Sequence, residues 1–256
     1  MMYQPILVCL SALTIFLAAS CATGNFDQQS KQKEIAKATQ RLGEEQYKNG
    51  NFTAALKNLL QAEKSLADDP YLHNSLGLVY LSKNRPDLAE THFKQALQYK
   101  PDYIQAKNNL GGTYMKQEKW EPAVQLFKEV SESLLYATPE KPLSNLGWVY
   151  FHQSMFKQAK RYFDQALEIR PGFINAVHGI ASIYIKQQDY SNAFSFLHAA
   201  LERNPGAAVL HADLAIAYEA TGNISQARSA WNVVLNLVPE QSNLAKDARK
   251  NLSRLE

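Results

Sequence analysis

The residues able to do chemistry in this 256-residue chain are few and scattered. The six histidines are His73, His92, His152, His178, His198 and His211, and none pairs with another histidine or a cysteine at metal-ligand spacing. No H-E-x-x-H run, no G-x-S-x-G elbow and no phosphate-cradling glycine loop can be found. The histidines are therefore expected to be exposed or packed helix residues. No catalytic residue, metal, cofactor or small-molecule substrate is expected. A net charge of +3 without any run of Lys or Arg gives nucleic-acid binding little electrostatic support. Of the two cysteines, Cys9 lies in an apolar leader and Cys21 just after it, which leaves the mature chain without an internal disulfide.

The elements that position these side chains repeat. In Leu146 to Pro171, LGWVYFHQSMFKQAKRYFDQALEIRP, Leu146-Gly147 is followed by Tyr150, Phe156, Ala159, Phe163, Ala166 and Pro171. The same frame opens at Leu42-Gly43, Leu76-Gly77, Leu110-Gly111, Ile180-Ala181 and Leu214-Ala215. A tyrosine follows at Tyr80, Tyr114, Tyr150, Tyr184 and Tyr218, whereas the first copy has Gln46. An alanine recurs at Ala55, Ala89, Ala123, Ala159, Ala193 and Ala227. Four residues on stands a large side chain: Leu59, Phe93, Phe127, Phe163, Leu197 or Trp231. Proline closes copies at Pro101, Pro171, Pro205 and Pro239, with a displaced Pro70 in the first. Small residues let two helices approach, rings fill the space between them, and proline ends a helix that needs its N–H.

This pattern resembles the tetratricopeptide repeat, a helix–turn–helix of about 34 residues. The resemblance implies an all-α, right-handed superhelical solenoid of about six repeats with a C-terminal capping helix, since one helix pair cannot bury its apolar face alone. The expected repeats are 36–69, 70–103, 104–139, 140–173, 174–207 and 208–241, with two extra residues in the run Ser133 to Pro142. Residues 242–256, with Leu244, Ala248, Leu252 and Leu255 on one side, read as the cap.

At the N-terminus, Ile6 to Ala19 is an apolar run too short to span a bilayer comfortably, so 1–20 reads as a signal peptide. Ala18, Ala19 and Ser20 lead into Cys21, an arrangement that resembles a bacterial lipobox. The resemblance implies acylation of Cys21, with Ala22 directing export to the outer membrane. The alternative is ordinary cleavage nearby, with Cys21 incidental. Residues 21–35 read as the acylated cysteine and a polar tether.

In the tetratricopeptide family the first helix of each repeat lines a concave groove. Carried over, the register implies a partner-binding surface of Tyr47, Tyr71, Asn74, Leu78, Leu81, Asn108, Met115, Asn145, Trp148, Phe151 and Ile185. The alternative is that several of these rings only pack between repeats. The combination of lipobox, tether, repeats and cap, with LLYATPEKPLSNLGWVY at Leu134 to Tyr150, resembles the type IV pilus biogenesis lipoproteins, the PilF/PilW-type pilotins. That resemblance implies no enzyme. It implies an outer-membrane-anchored periplasmic protein whose partner is the pilus secretin, which it helps to localise and multimerise. The rival is a periplasmic scaffold lipoprotein recruiting peptidoglycan hydrolases or other envelope complexes.

Overall fold

The computed structural model describes residues 28–133 and 136–255. Among them are thirteen helices and no strand: α1 (28–48), α2 (Phe52–Glu63), α3 (Pro70–Ser82), α4 (Pro86–Tyr99), α5 (Ile104–Lys116), α6 (Trp120–Ser131), α7 (Glu140–His152), α8 (Phe156–Ile169), α9 (Ile174–Lys186), α10 (Tyr190–Arg203), α11 (Ala208–Ala220), α12 (Ile224–Leu237) and α13 (Asn243–Arg254). The fold is all-α. The signal segment 1–20 and Cys21 lie outside the described residues.

The second helix of every pair has one buried pattern. Counting from its first residue, positions three, seven and ten further on face inward, as in α8 with Ala159, Phe163 and Ala166. The other five helices bury Ala55, Leu59, Ala62; Ala89, Phe93, Ala96; Ala123, Phe127, Val130; Ala193, Leu197, Ala200; and Ala227, Trp231, Val234. Spacings of three and four put these side chains on one stripe of a 3.6-residue helix. The glycine of the first helix answers the ring. A Cβ on Gly77 would lie 2.5 Å from the Phe93 ring, and one on Gly147 would lie 2.5 Å from the Phe163 ring. The small residue thus makes room for the large side chain of its own pair, and not only for a close helix approach.

The turn inside each pair is also uniform. Two residues past each first helix the backbone turns left-handed, at Gly50, Asn84, Glu118, Ser154, Gln188 and Gly222. The next residue's N–H then reaches back to a helix carbonyl, for example Asp189 N to Tyr184 O at 2.9 Å and Met155 N to Tyr150 O at 2.9 Å. Such a turn satisfies carbonyls left open at the helix end. Glu118, Ser154 and Gln188 hold φ near 58–60° without glycine's freedom. Gln188→Gly should therefore raise the unfolding free energy by about 0.5–1 kcal/mol, part of the left-handed penalty being offset by the looser unfolded chain. A urea melt with an unchanged midpoint would contradict this.

The described residues divide into two compact units, the first ending at Thr113 and the second starting at Tyr114, with the division inside α5. In the first, Ala36, Ala55, Leu59, Leu66, Leu72, Leu76 and Val79 form one buried cluster, with Tyr47, Phe52, Leu56 and Tyr80 packed against it. Helix α1 begins at residue 28, so the expected tether is helical from 28 to 35. The reason is local. The run QQSKQKEI is rich in good helix formers and continues in register into the first repeat.

In the second unit, Phe163 stands between two glycines on different helices, Gly147 of α7 and Gly179 of α9. Ala159, Ala166, Ala176, Ile180 and Ile183 complete that cluster. At the C-terminal end α13 is capped by the Ser242 hydroxyl, which accepts from Ala245 N. Its Ala248 is buried with Trp231 and Val234, and Leu244, Leu252 and Leu255 pack beside them. The Trp231 indole N–H donates to Glu219 at 2.6 Å, so this large ring is buried without an orphaned donor. The helix does cover the last apolar surface.

Candidate partner-binding groove

In the first unit α1 and α3 enclose a cavity of about 710 Å³. From α1 it takes Lys37, Gln40, Arg41, Glu44, Tyr47 and Lys48. Asp69, the N-cap of α3, and Tyr71, Ser75 and Leu78 of that helix form the facing wall, with Tyr103 just before α5. The volume suits several side chains of a bound segment.

Each wall is fixed from within. The Asp69 carboxylate accepts from Tyr71 N and Leu72 N, both at 2.8 Å, and so starts α3. Glu44 Oε1 accepts from Gln40 at 3.0 Å and from the Ser75 hydroxyl at 2.9 Å, which ties the two helices across the cavity. The Tyr71 and Tyr103 rings meet edge to face at 5.1 Å. Lys100 donates to the Tyr71 hydroxyl at 2.7 Å and lies 4.9 Å from that ring's centre. This hydrogen bond raises the Lys100 pKa. Burial, followed by Tyr71 and the carboxylates of Glu44 and Asp69, pushes the Tyr103 phenol up to about 12, so it remains a donor at neutral pH. Tyr71 is 48% exposed, an aromatic face open to a partner. The site offers grip, through apolar rings and Leu78 rimmed by charges of both signs.

Three of the expected groove residues, Tyr47, Tyr71 and Leu78, line this cavity. Leu81 is half-buried and stands outside its lining. Asn74 does not face open space. It is buried, and its carbonyl accepts from the Asn109 amide at 2.9 Å, joining α3 to α5. Asn108 and Asn145 are half-buried and already engaged within the protein.

In the second unit Met115 packs beside the Phe127 and Leu146 cluster, and Ile185 is half-buried. Trp148 belongs largely to the packing. Its ring meets Phe163 edge-on at 5.4 Å, Phe151 at 5.2 Å and His178 at 5.0 Å. Phe151 leans in turn on Phe156 at 5.7 Å. Most of these rings pack within their own repeat, between α7 and α8, and the Trp148–His178 contact alone reaches the next one.

Lys37, Gln40, Arg41, Glu44 and Tyr103 are lining residues that sequence reasoning missed. The first four lie in the most degenerate copy, yet the register that pointed to Tyr47 also gives Lys37, Gln40 and Glu44. Two tertiary pairings of histidine were also missed. His178 Nδ1 lies 2.8 Å from the buried Asp213 carboxylate, linking α9 to α11. Desolvation raises the Asp213 pKa, and the His178 hydrogen bond opposes that rise. His73 and His92, nineteen residues apart, bring their Nδ1 atoms to 3.1 Å, a contact between packed helix residues that no metal-ligand spacing in the sequence announced. Burial, with His73 adding to it, drives the His92 imidazole pKa down to about 4 and keeps that ring neutral. Residue spacing along one helix could not show a contact between two helices.

A series of helix pairs with buried small and large residues in fixed register, opening one face as a cavity, defines an interaction scaffold. Tetratricopeptide repeat family models match residues 41–103, 80–134, 141–173 and 184–252. The chain belongs to the tetratricopeptide repeat family. It is 28% identical over 153 residues to the type IV pilus assembly protein PilF of Pseudomonas aeruginosa, a match covering 59% of this chain and 60% of that protein. The chain thus spans less than two thirds of that relative. A solved structure of Pseudomonas aeruginosa PilF superposes with a TM-score of 0.63 at 22% identity, over 86% of this chain and 99% of that one. PilW, described as a widely conserved type IV pilus biogenesis factor, gives 0.68 at 20% identity, over 84% and 98%. These two likenesses establish the fold. No catalytic family is among the matched models.

Proposed function

We propose that this chain is a lipid-anchored periplasmic protein of the bacterial outer membrane that holds a partner protein and assists type IV pilus biogenesis. The partner in this reading is the pilus secretin, whose subunits the anchored scaffold brings to the membrane and helps to assemble into a multimer. The 153-residue similarity to a pilus assembly protein carries the proposal. The open cavity of the first unit supports it with a place to grip, and the lipobox-like Cys21 supports it with an anchor. The mechanism needs no reaction. The exposed Tyr71 ring, beside the half-buried Tyr47 and Tyr103, takes up apolar side chains of the client, while Lys37, Arg41, Glu44 and Asp69 set which charges it can present.

In a piliated strain, deleting the gene should leave secretin subunits unassembled on native gels. Restoring it with Tyr71→Ala should give weak rescue. At 48% exposure this ring contributes little to stability, whereas an anchor ring in a protein interface is worth about 2 kcal/mol or more. Normal secretin multimers in the deletion strain would reject the secretin as client.

A further inference from the structure

The end of one helix, the first turn of a second and the middle of a third bring together, in the first unit, three side chains that can ligate a metal. Glu63 is the last residue of α2, His73 lies in α3 and His92 in α4, and their ligand atoms all fall within 4.8 Å of one another. The two imidazole Nδ1 atoms are 3.1 Å apart, and Glu63 Oε1 lies 3.8 Å from that of His73 and 4.0 Å from that of His92.

Hydrogen bonding fixes the state of His73. Its Nε2 lies 2.9 Å from the Ala67 carbonyl oxygen, which can only accept, so Nε2 carries the proton. Neutral His73 therefore presents a lone pair at Nδ1, toward His92 and Glu63. A histidine whose far nitrogen donates to a backbone carbonyl is the usual support for a metal-bound imidazole. Without a metal, His92 Nδ1–H can donate to that lone pair. With one, His92 needs only to move its proton to Nε2, and both lone pairs then meet the ion.

The spacing agrees with this. Ligands about 2.0–2.2 Å from a tetrahedral ion stand about 3.3–3.5 Å apart. The two nitrogens are already close to that separation, and a small rotation of the Glu63 carboxylate closes the rest. That side chain is 28% exposed and can move, whereas His73 is 2% exposed and fixed. Rings hold the histidines in place, Tyr99 stacking on His73 at 5.7 Å and Tyr80 on His92 at 5.3 Å. We propose that Glu63, His73 and His92 form a binding site for a divalent transition-metal ion of the zinc type, with water completing the shell. Two imidazoles and one carboxylate suit such an ion, and they do not suit Ca²⁺ or Mg²⁺, which take oxygen ligands. The ion would join the second helix of the first pair to both helices of the second.

The test uses the full chain, stripped with a chelator, with Zn²⁺ and Co²⁺ as probes. Zn²⁺ should bind in one-to-one stoichiometry and raise the melting temperature, while Mg²⁺ should not. Co²⁺ should give the visible absorption of a low-coordinate nitrogen–oxygen site. His92→Gln should lower the affinity by more than the roughly 10–100-fold that loss of an outer-shell partner costs. Glu63→Gln should weaken binding, and His198→Gln should leave it unchanged. Metal-free melting curves check that each variant folds, and Glu63→Gln, at the exposed side, serves if His92→Gln does not. No zinc-dependent shift in the wild type, or equal binding by a folded His92→Gln or Glu63→Gln chain, overturns the proposal.

Discussion

Phe163→Ala is expected to lower the unfolding free energy of the second unit by about 3–5 kcal/mol, a large part of a typical domain's stability. Phe163 is fully buried, and its ring fills space that Gly147 and Gly179 leave open from two different helices. Removing it leaves a cavity whose walls cannot collapse, because α7 and α9 are held by their other contacts. The reverse substitution makes the same point. A Cβ at Gly179 would stand 2.2 Å from the Phe163 ring, closer than any real contact, so Gly179→Ala should cost about 1–3 kcal/mol. In a Phe163→Leu background the added methyl should cost much less, because the shorter side chain leaves room for it. Denaturant melts of the two single variants and the double variant read the coupling directly. Additive losses would mean that the ring and the glycine do not share the same space.

Cys21→Ser should move the protein from the membrane fraction to the soluble fraction while its helices still form. Each buried CH₂ of an acyl chain contributes about 0.8 kcal/mol, yet a single chain gives only marginal attachment. If Cys21 carries the several chains of a lipoprotein, as proposed, losing it removes the whole anchor at once. Fractionation of cells expressing either form checks this, with the circular dichroism of the variant as the control for folding. Full membrane retention of the serine form would refute the lipid anchor, and the proposed localisation with it.

The candidate site was legible in part. Tyr47, Tyr71 and Leu78 follow from the repeat register and do line the cavity. Asn74 and Trp148 follow from the same register but turn inward, one to Asn109 and the other to Phe163. Register says which helix face a residue occupies. It does not say whether a neighbouring helix already covers that face. Gly179 escaped notice for a related reason: it stands outside the repeat's small-residue position and matters only because a ring from the preceding pair reaches it.

The sequence by itself determined the helix pairs, their register and the alanine and large side chain buried in each second helix, because spacings of three and four residues act within a single helix. The tertiary structure alone decided which rings stay open and where a cavity forms. It also brought Glu63, His73 and His92 together, ten and nineteen residues apart in sequence. These outcomes depend on the distance and angle between packed helices, which are set by all the side chains at the contact together and by no local pattern.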